Sequence, residues 1–272
     1  MKVSVVIPTY NRPGLALNLA RQIRKYEANA EIIIVDQSEK KEDPQKIRES
    51  SLKYILNSRA NTSIAKNIGS KKATGDIIIF FDDDVEITPK TIATHLNEYT
   101  DENVQGVAGR VINDGEMVPS KTNVETGRTN KYLTAFTGNF WGTSEQTVQF
   151  PYGCNMSFRR TIFEEFGGFD QKILPPGFEE YDLGLRITRL GKMVFSPEAL
   201  VFHHKAPSGG TRINKDIWFR NYYWNYGRLI RKHVPFPFSI ASLLRLSARI
   251  FKEYPPAIFS FFNGFASRPG TV

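Results

Sequence analysis

Three adjacent carboxylates, Asp82-Asp83-Asp84, stand at the end of the apolar run Ile77–Phe81. Carboxylates this close repel one another unless positive charge sits among them. Hard divalent cations take oxygen ligands, and Mg2+ binds through one or two carboxylates together with substrate phosphates. The triplet therefore offers a metal site, against the plainer reading of a solvated acidic turn. A second acidic cluster, Glu179-Glu180-Tyr181-Asp182, follows the rigid Pro175-Pro176-Gly177. The helix dipole alone favours acids at a helix start. A carboxylate aimed from there into a cleft can also take a proton from an attacking hydroxyl. His203 and His204 supply imidazole, an acceptable partner for Mn2+ beside carboxylates. Successive strand residues point to opposite faces, so at most one of the two serves a site.

Other polar residues fit a nucleotide. Asp36 follows Ile32–Val35 and either caps the next helix or accepts the ring N–H of a pyrimidine base. Thr9 and Asn11 are placed to reach the same base or its ribose, and Arg12, Arg59 and Lys66 to approach a diphosphate. Ser208–Arg212 is a flexible loop that ends in a cation, Arg212, and either closes over a diphosphate or is a surface turn.

The elements that position these groups alternate. Val3–Ile7, Ile32–Val35, Tyr54–Leu56 and Ile77–Phe81 read as strands. Leu15, Leu19, Ile23 and Tyr26 recur at helical spacing, as do Ile64, Ala65 and Ile68 in a helix starting near Thr62 or Ser63. Glu39 to Glu49 reads as a charged stretch ending in a short helix, and Thr88-Pro89 as a helix start. Repeated strand–helix–strand units imply an α/β fold with a mainly parallel sheet and helices on both faces. Ligands bind such sheets at the carboxyl ends of the strands. Thr9–Arg12, Asp36–Ser38, Asn57 with Arg59, and Asp82–Asp84 all follow strands, so they share one rim.

Further on, Asn113 to Thr147 reads as loops or short antiparallel strands, and Val148–Phe158 as a strand containing Gly153. Thr161–Glu164 has capping-box spacing, and Glu179 to Leu190 reads as a helix stopped by Gly191. Met193–Phe195 and Leu200–Phe202 read as two short strands around Pro197, and Asn214–Lys232 as an aromatic helix.

Composition is that of an ordinary globular chain, 40% hydrophobic and 24% charged. The charge is uneven. Val201–Val272 holds eleven Lys/Arg against Asp216 and Glu253, a balance of +9, so the rest sums to −1 of the net +8. A neutral core speaks against nucleic acid as a partner. A basic, aromatic tail suits an anionic membrane surface. The single Cys154 excludes an internal disulfide and suits a reducing compartment. The start Val3–Ile7 carries no signal-peptide pattern, and no apolar run is long enough to span a bilayer. A cytoplasmic protein, peripheral at the inner face of the cell membrane, is the expectation.

Together these residues resemble family 2 glycosyltransferases of the A-type nucleotide-diphospho-sugar transferase fold, over about residues 1 to 205. The signatures are Val5–Arg12, Ile33–Ser38, Ile64–Gly69, Gly75 through Val85, Gly153–Met156, Gly167–Asp170, Glu179–Leu183 and Pro197 through His203. The resemblance implies that Asp36 meets the nucleobase and Asp83 the ribose or sugar. It implies that Asp84 binds Mn2+ or Mg2+ bridging the diphosphate, with His203 as a further metal or diphosphate ligand; Asp82, next to them, either joins the donor site or only holds the turn. Gly153, Cys154, Asn155 and Asp182 would shape the acceptor and sugar pocket. Glu180 aligns with the general base of the inverting enzymes, and Glu179 is the alternative base. The donor would be a nucleoside-diphosphate sugar, uridine by family expectation, with thymidine and guanosine open. The acceptor would be a glycan or a lipid-linked hydroxyl.

The chain departs from the family pattern in three places. Glu180 stands where Asp is usual, Lys66 where Arg is usual, and no Gln-x-x-Arg-Trp element is present, which argues against a processive synthase. A nucleotidyltransferase would want a Gly-rich basic loop after the first strand, and Pro8–Pro13 is not one. A nicotinamide oxidoreductase would want Gly-x-Gly-x-x-Gly there. A non-catalytic sugar-nucleotide or membrane-binding module is the remaining rival. The expected division is a nucleotide-binding half over 1–112, an acceptor and catalytic half over 113–212, and a helical extension over 213–272. In that extension Trp218, Tyr222, Tyr223, Trp224 and Tyr226 with Arg220, Arg228, Arg231 and Lys232 suit a membrane interface, or packing against the catalytic part.

Overall fold

Strand β1 (Val3–Thr9) is buried along its whole length. Successive side chains alternate between faces, so unbroken burial means that both faces are covered. The computed structural model describes residues 1–39, 52–210 and 212–267. Within them β1 pairs in parallel with β2 (Glu31–Asp36) and β4 (Ile77–Phe81), and β2 with β3 (Lys53–Leu56). The short helix suggested beyond Glu39 lies outside the described residues. Helices α1 (Pro13–Tyr26) and α2 (Thr62–Lys72) pack on β1 and β2. A Cβ on Gly69 would stand 2.3 Å from Val6 Cγ1, so only glycine lets α2 press this close to β1. Asn61 caps α2, its Oδ1 accepting from Ile64 N at 2.9 Å.

The sheet continues through β5 (Val85–Ile87), β6 (Val104–Asn113), β10 (Asn155–Arg159) and β11 (Lys192–His203), in the order β3-β2-β1-β4-β10-β6-β11-β5. Strand β10 runs antiparallel between β4 and β6, and β11 is parallel to β6. The α/β class, with parallel pairing throughout β1 to β4, is as the sequence implied. The polar stretch after β6 forms the small pair β7 (Arg128–Thr129) and β8 (Phe136–Thr137), while β9 (Gln146–Thr147) adds to β11.

Several local expectations are corrected. Helix α3 spans Thr91–Glu98 rather than starting at Thr88-Pro89. The Thr91 hydroxyl accepts from Thr88 N and donates to Leu200 O, which fixes the start one turn later. Val148–Phe158 is not one strand. Tyr152–Asn155 closes a turn, Asn155 N donating to Tyr152 O at 3.0 Å, and only Asn155 onward joins the sheet. Helix α4 (Arg160–Glu165) takes Thr161 into its first turn, so the capping box is not made. Helix α5 is shorter than expected, Glu179–Ile187. The two strands around Pro197 are one, because a bulge between Ser196 and Leu200 absorbs the proline.

Helices α6 (Lys215–His233), α7 (Phe238–Glu253) and α8 (Ile258–Ala266) build a second core. It contains Tyr223, Tyr226, Leu229, Leu246, Ile250 and Phe261, and closes over Leu133, Ile173 and Phe178. Tyr223 and Tyr226 are thus buried against the preceding residues, not offered to a membrane. No helix among the described residues is long and apolar enough to cross a bilayer.

Candidate active site

The carboxyl ends of β1 and β4, the start of α2, the turn before β10, the start of α5 and the end of β11 enclose one cavity of about 410 Å3. Its walls include Thr9, Arg12, Lys66, Asp82, Asp83, Asp84, Gly153, Cys154, Glu179, Glu180, His203 and Arg212. The sequence named all of these as site residues. Five others it placed at the site, Asn11, Asp36, Arg59, Asn155 and Asp182, do not line the cavity, and of these Arg59 is exposed.

Asn11 is exposed beside it, with backbone φ of 58°, and its Oδ1 accepts from Glu39 N. Asp36 is buried behind the rim, where its carboxylate accepts from Ser38 N at 2.8 Å and Tyr54 OH at 2.6 Å. The neighbouring Gln37 faces the cavity instead. Asn155 points into the sheet. Its Nδ2 donates to Arg110 O and Ala199 O, which leaves Oδ1 to accept from His95 Nε2 at 2.8 Å. Burial pushes the His95 imidazole down to about 4 against that bond, so it is neutral at neutral pH. Asp182 turns away toward α6, where it pairs with Lys232 Nζ at 2.6 Å and His233 Nε2 at 2.9 Å, and it also pairs with Arg186 Nη2 on its own helix at 2.9 Å. Asn155 and Asp182 are therefore fold-holding residues rather than pocket walls.

The acidic triplet divides its tasks. Asp83 is gripped by Arg12, Nη2 to Oδ1 at 2.6 Å and Nε to Oδ2 at 3.0 Å, and accepts from the Thr9 hydroxyl at 2.6 Å. Burial nevertheless pushes the Asp83 carboxyl up to about 6. Asp84 Oδ2 accepts from Ala206 N at 2.9 Å and forms an ion pair with Arg12 Nη1 at 3.0 Å. Burial opposes ionisation of Asp84, but His203, Arg12 and the Ala206 amide outweigh it and hold the carboxyl near 2. Asp82, beside Lys66, is raised by burial first and by the charges of Asp84 and Glu179.

Asp84 Oδ1 is buried and has no hydrogen-bond partner. It lies 3.3 Å from His203 Nε2. Asn113 Nδ2 donates to Glu116, so Asn113 Oδ1 faces His203 Nδ1 at 2.9 Å and must accept from it. In the neutral ring Nε2 then carries a lone pair, which opposes the lone pairs of Asp84 Oδ1. A proton on Nε2, donated to Asp84, relieves that opposition, and a divalent cation held between the two relieves it as well. Asp82, Asp84 and His203 each offer an atom within 4.8 Å of the others. Two carboxylates and an imidazole suit Mn2+, and the carboxylates suit Mg2+. The residues fit the ion, and Asp82 joins the two ligands expected from the sequence. His204 faces away, exposed between Asp114 and Glu86, so only one histidine of the pair serves the site.

Across the cavity, Lys66 is almost wholly buried. Its Nζ donates to Glu179 Oε1 and Gly153 O, both at 3.1 Å. Burial works against its charge, yet Glu179, Asp82 and Glu180 together hold its pKa above the ordinary value. The ammonium expected to meet a diphosphate is thus already paired with Glu179. Glu180 Oε2, by contrast, is buried with no partner. Burial, then the adjacent Glu179 charge, raises the Glu180 carboxyl well above the usual range. Gly153 keeps the space open: a Cβ there would come within 3.3 Å of Glu180 Oε1.

Two supporting residues escaped the sequence reading. Asn113 orients His203. Asn225 on α6 pins the loop that presents Glu179 and Glu180, donating to Leu174 O at 2.7 Å and Gly177 O at 2.8 Å. Both are lone asparagines whose partners at the site lie far along the chain, His203 for Asn113 and the Leu174–Gly177 loop for Asn225. Arg212 stands at the cavity, and Gly210 N donates to Tyr10 O, so the preceding loop folds onto the rim over Arg12.

Residues 4–167 match the model of glycosyl transferase family 2. The chain belongs to this family. Its sequence is 29% identical over 214 residues to the uncharacterized glycosyltransferase YwdF of Bacillus subtilis, covering 77% of this chain and 76% of that one. It is 23% identical over 229 residues to the O-antigen biosynthesis protein RfbC of Myxococcus xanthus, covering 76% of this chain but only 18% of RfbC. The fold resembles mannosyltransferase PcManGT from Pyrobaculum calidifontis, solved with GDP-Man and Mn2+, with a TM-score of 0.57 at 17% identity over 97% of this chain and 73% of that one. It also resembles S. aureus TarS 1-349 solved with UDP-GlcNAc, with a TM-score of 0.63 at 15% identity over 97% of this chain and 79% of that one. These are GT-A type transferases, which bears out the expected fold.

Proposed function

We propose that this chain transfers a sugar from a nucleoside-diphosphate sugar to an acceptor hydroxyl by a single, inverting displacement, one sugar at a time. The observation that carries this is Glu180 Oε2, a buried carboxylate oxygen without a partner in the same cavity as Asp82, Asp84 and His203. A carboxyl with a raised pKa and one unpartnered oxygen is a competent general base once ionised. In this reading Glu180 takes the proton from the acceptor hydroxyl, which attacks the anomeric carbon from the face opposite the leaving diphosphate. Glu179 serves by holding Lys66. Arg12 and Arg212 flank the diphosphate, and Arg12 keeps Asp83 in place for the ribose or sugar.

Asp82, Asp84 and His203 would hold Mn2+ or Mg2+. Bound there, the ion supplies positive charge to the departing nucleoside diphosphate. PcManGT was solved with GDP-Man and Mn2+ and TarS with UDP-GlcNAc, which supports a nucleotide-sugar donor without choosing the base. A uridine donor is our first choice, with thymidine and guanosine donors next. Relatives named for acting on dolichyl phosphate and undecaprenol diphosphate sugars support a lipid-linked or glycan acceptor. The setting we propose is cytoplasmic, at the inner face of the cell membrane.

Thermal shift against UDP-, dTDP- and GDP-sugars with and without Mn2+ tests the donor class. Stabilisation by one nucleotide class, dependent on the ion, is expected. Equal indifference to all donors, with no diphosphate released on incubation, would contradict the reading. Proton NMR of the product then reads the anomeric configuration, and retention would contradict inversion.

A further inference from the structure

Helices α7 and α8 each carry two apolar faces, and only one is used. On α7, Ser242, Leu246 and Ile250 are buried, and Leu246 and Ile250 belong to the second core. Ile240, Leu244 and Phe251, at i, i+4 and i+11, fall within about 40° of arc on a different face. They are 47%, 68% and 62% exposed. On α8, Phe261 fills the core while Phe259 and Phe262 are 78% and 45% exposed. Phe236, just before α7, is 79% exposed. Clustered exposure of large apolar side chains marks an interaction surface.

Positive charge borders this surface. Arg245 and Lys252 are exposed on the flank of α7, about 100–120° round the helical wheel from the centre of the stripe, and Arg249, nearly opposite the stripe, pairs with Glu253. A groove of about 610 Å3 adjoins it, where Arg189, Arg231 and Lys232 line the same walls as Phe236, Ile240 and Phe265. From residue 213 to 267 the acids are Asp216 and Glu253 alone, and they pair with Arg220 and Arg249. Apolar side chains flanked by Lys and Arg are what an anionic bilayer surface takes: rings enter the headgroup and acyl boundary, and cations meet the lipid phosphates. A second copy of the chain would bring like charge against like.

We propose that the exposed α7–α8 face, with the groove beside Phe236, docks this protein in the plane of an anionic phospholipid bilayer. This surface is distinct from the α6 aromatics, of which Tyr223 and Tyr226 are buried. It is preformed, because both helices are already packed on the second core, so docking costs little ordering. It is also tied to the catalytic cavity: Lys232 and His233 line the groove and hold Asp182 on α5, the helix that begins with Glu179 and Glu180. The proposal does not depend on the sugar-transfer reading, and its failure would leave that reading intact.

The test is flotation of the full chain with vesicles of equimolar phosphatidylglycerol and phosphatidylcholine, against phosphatidylcholine alone. Binding to the anionic vesicles at low salt is expected, weaker by about tenfold or more on neutral vesicles or at high salt. The double variant Leu244→Gln/Phe251→Gln should lower binding by about tenfold or more. Arg231→Gln/Lys252→Gln should remove the preference for anionic lipid. All four side chains are exposed, so the melting temperature should hold; Phe259→Gln is the further variant should either pair misfold. No binding to anionic vesicles at low salt overturns the proposal, as does undiminished binding by the Leu244/Phe251 variant. A wild-type dimer in light scattering that this variant splits, without vesicle binding, would assign the face to a second copy instead.

Discussion

Lys66 Nζ lies 3.1 Å from Glu179 Oε1, both groups buried in the cavity wall. This contact separates two neighbouring carboxylates. It occupies Glu179 and leaves Glu180 Oε2 without a partner. Removing one member of a buried pair strands the other charge, at about 3–5 kcal/mol. Glu179→Gln should therefore lower unfolding free energy by about that amount. The double variant Lys66→Met/Glu179→Leu should recover most of the loss. Denaturant titration of the three proteins measures it, and a single variant as stable as wild type would show that the pair holds nothing.

The pH profile follows from Glu180. Burial and the Glu179 charge raise its pKa well above the ordinary value, and a base works only when ionised. Donor turnover should rise with pH along a limb lying above the usual carboxylate range, and Glu180→Gln should lack that limb. Stability runs the other way. A raised pKa in the fold means that the neutral carboxyl is the favoured form, so its contribution is full below the unfolded value and lost as pH rises through the folded one. Glu180→Gln should then match wild type at acid pH and exceed it in unfolding free energy at higher pH.

Asn113 sets which nitrogen of His203 meets Asp84. Groups that orient a metal-binding imidazole commonly contribute about 10–100-fold in metal affinity. Asn113→Ala should weaken Mn2+ binding by about that factor with Asp82, Asp84 and His203 intact. Calorimetric titration of the ion reads it directly. Unchanged affinity would mean that the imidazole is not part of the site.

Asn155 satisfies two backbone carbonyls and His95 inside the sheet. Each buried partner left unsatisfied costs about 1–3 kcal/mol. Asn155→Ala should destabilise the protein by about 3 kcal/mol or more while leaving donor KM unchanged. A large rise in KM at unaltered stability would return Asn155 to the sugar pocket.

What the sequence made legible was local. Apolar runs announced β1, β2 and β4, and the polar residues just past Thr9, Val35 and Phe81 announced the rim. The acidic triplet and the acids after Gly177 could be read because strand ends and helix starts fix where they stand. Asn155 and Asp182 were misplaced for the complementary reason. Their partners, His95 in one case and Lys232 with His233 in the other, are distant in sequence, and no local pattern says which way a single side chain turns. Asn113 and Asn225 escaped on the same ground. The bulge that carries β11 past Pro197 was hidden because proline ordinarily ends a ladder. The aromatic residues of α6 carried amphipathic character without direction, and only packing shows Tyr223 and Tyr226 facing inward.

The central claim is that Glu180 is the base of a sugar transfer performed in the Asp82–Asp84–His203 cavity. The most direct measurement compares wild type with Glu180→Gln for donor affinity and for nucleoside diphosphate release, with Mn2+ present and the donor found by the thermal-shift screen. Glu180→Gln should bind donor as tightly as wild type and turn over about 100- to 10,000-fold more slowly. Near-normal release by Glu180→Gln would contradict the account.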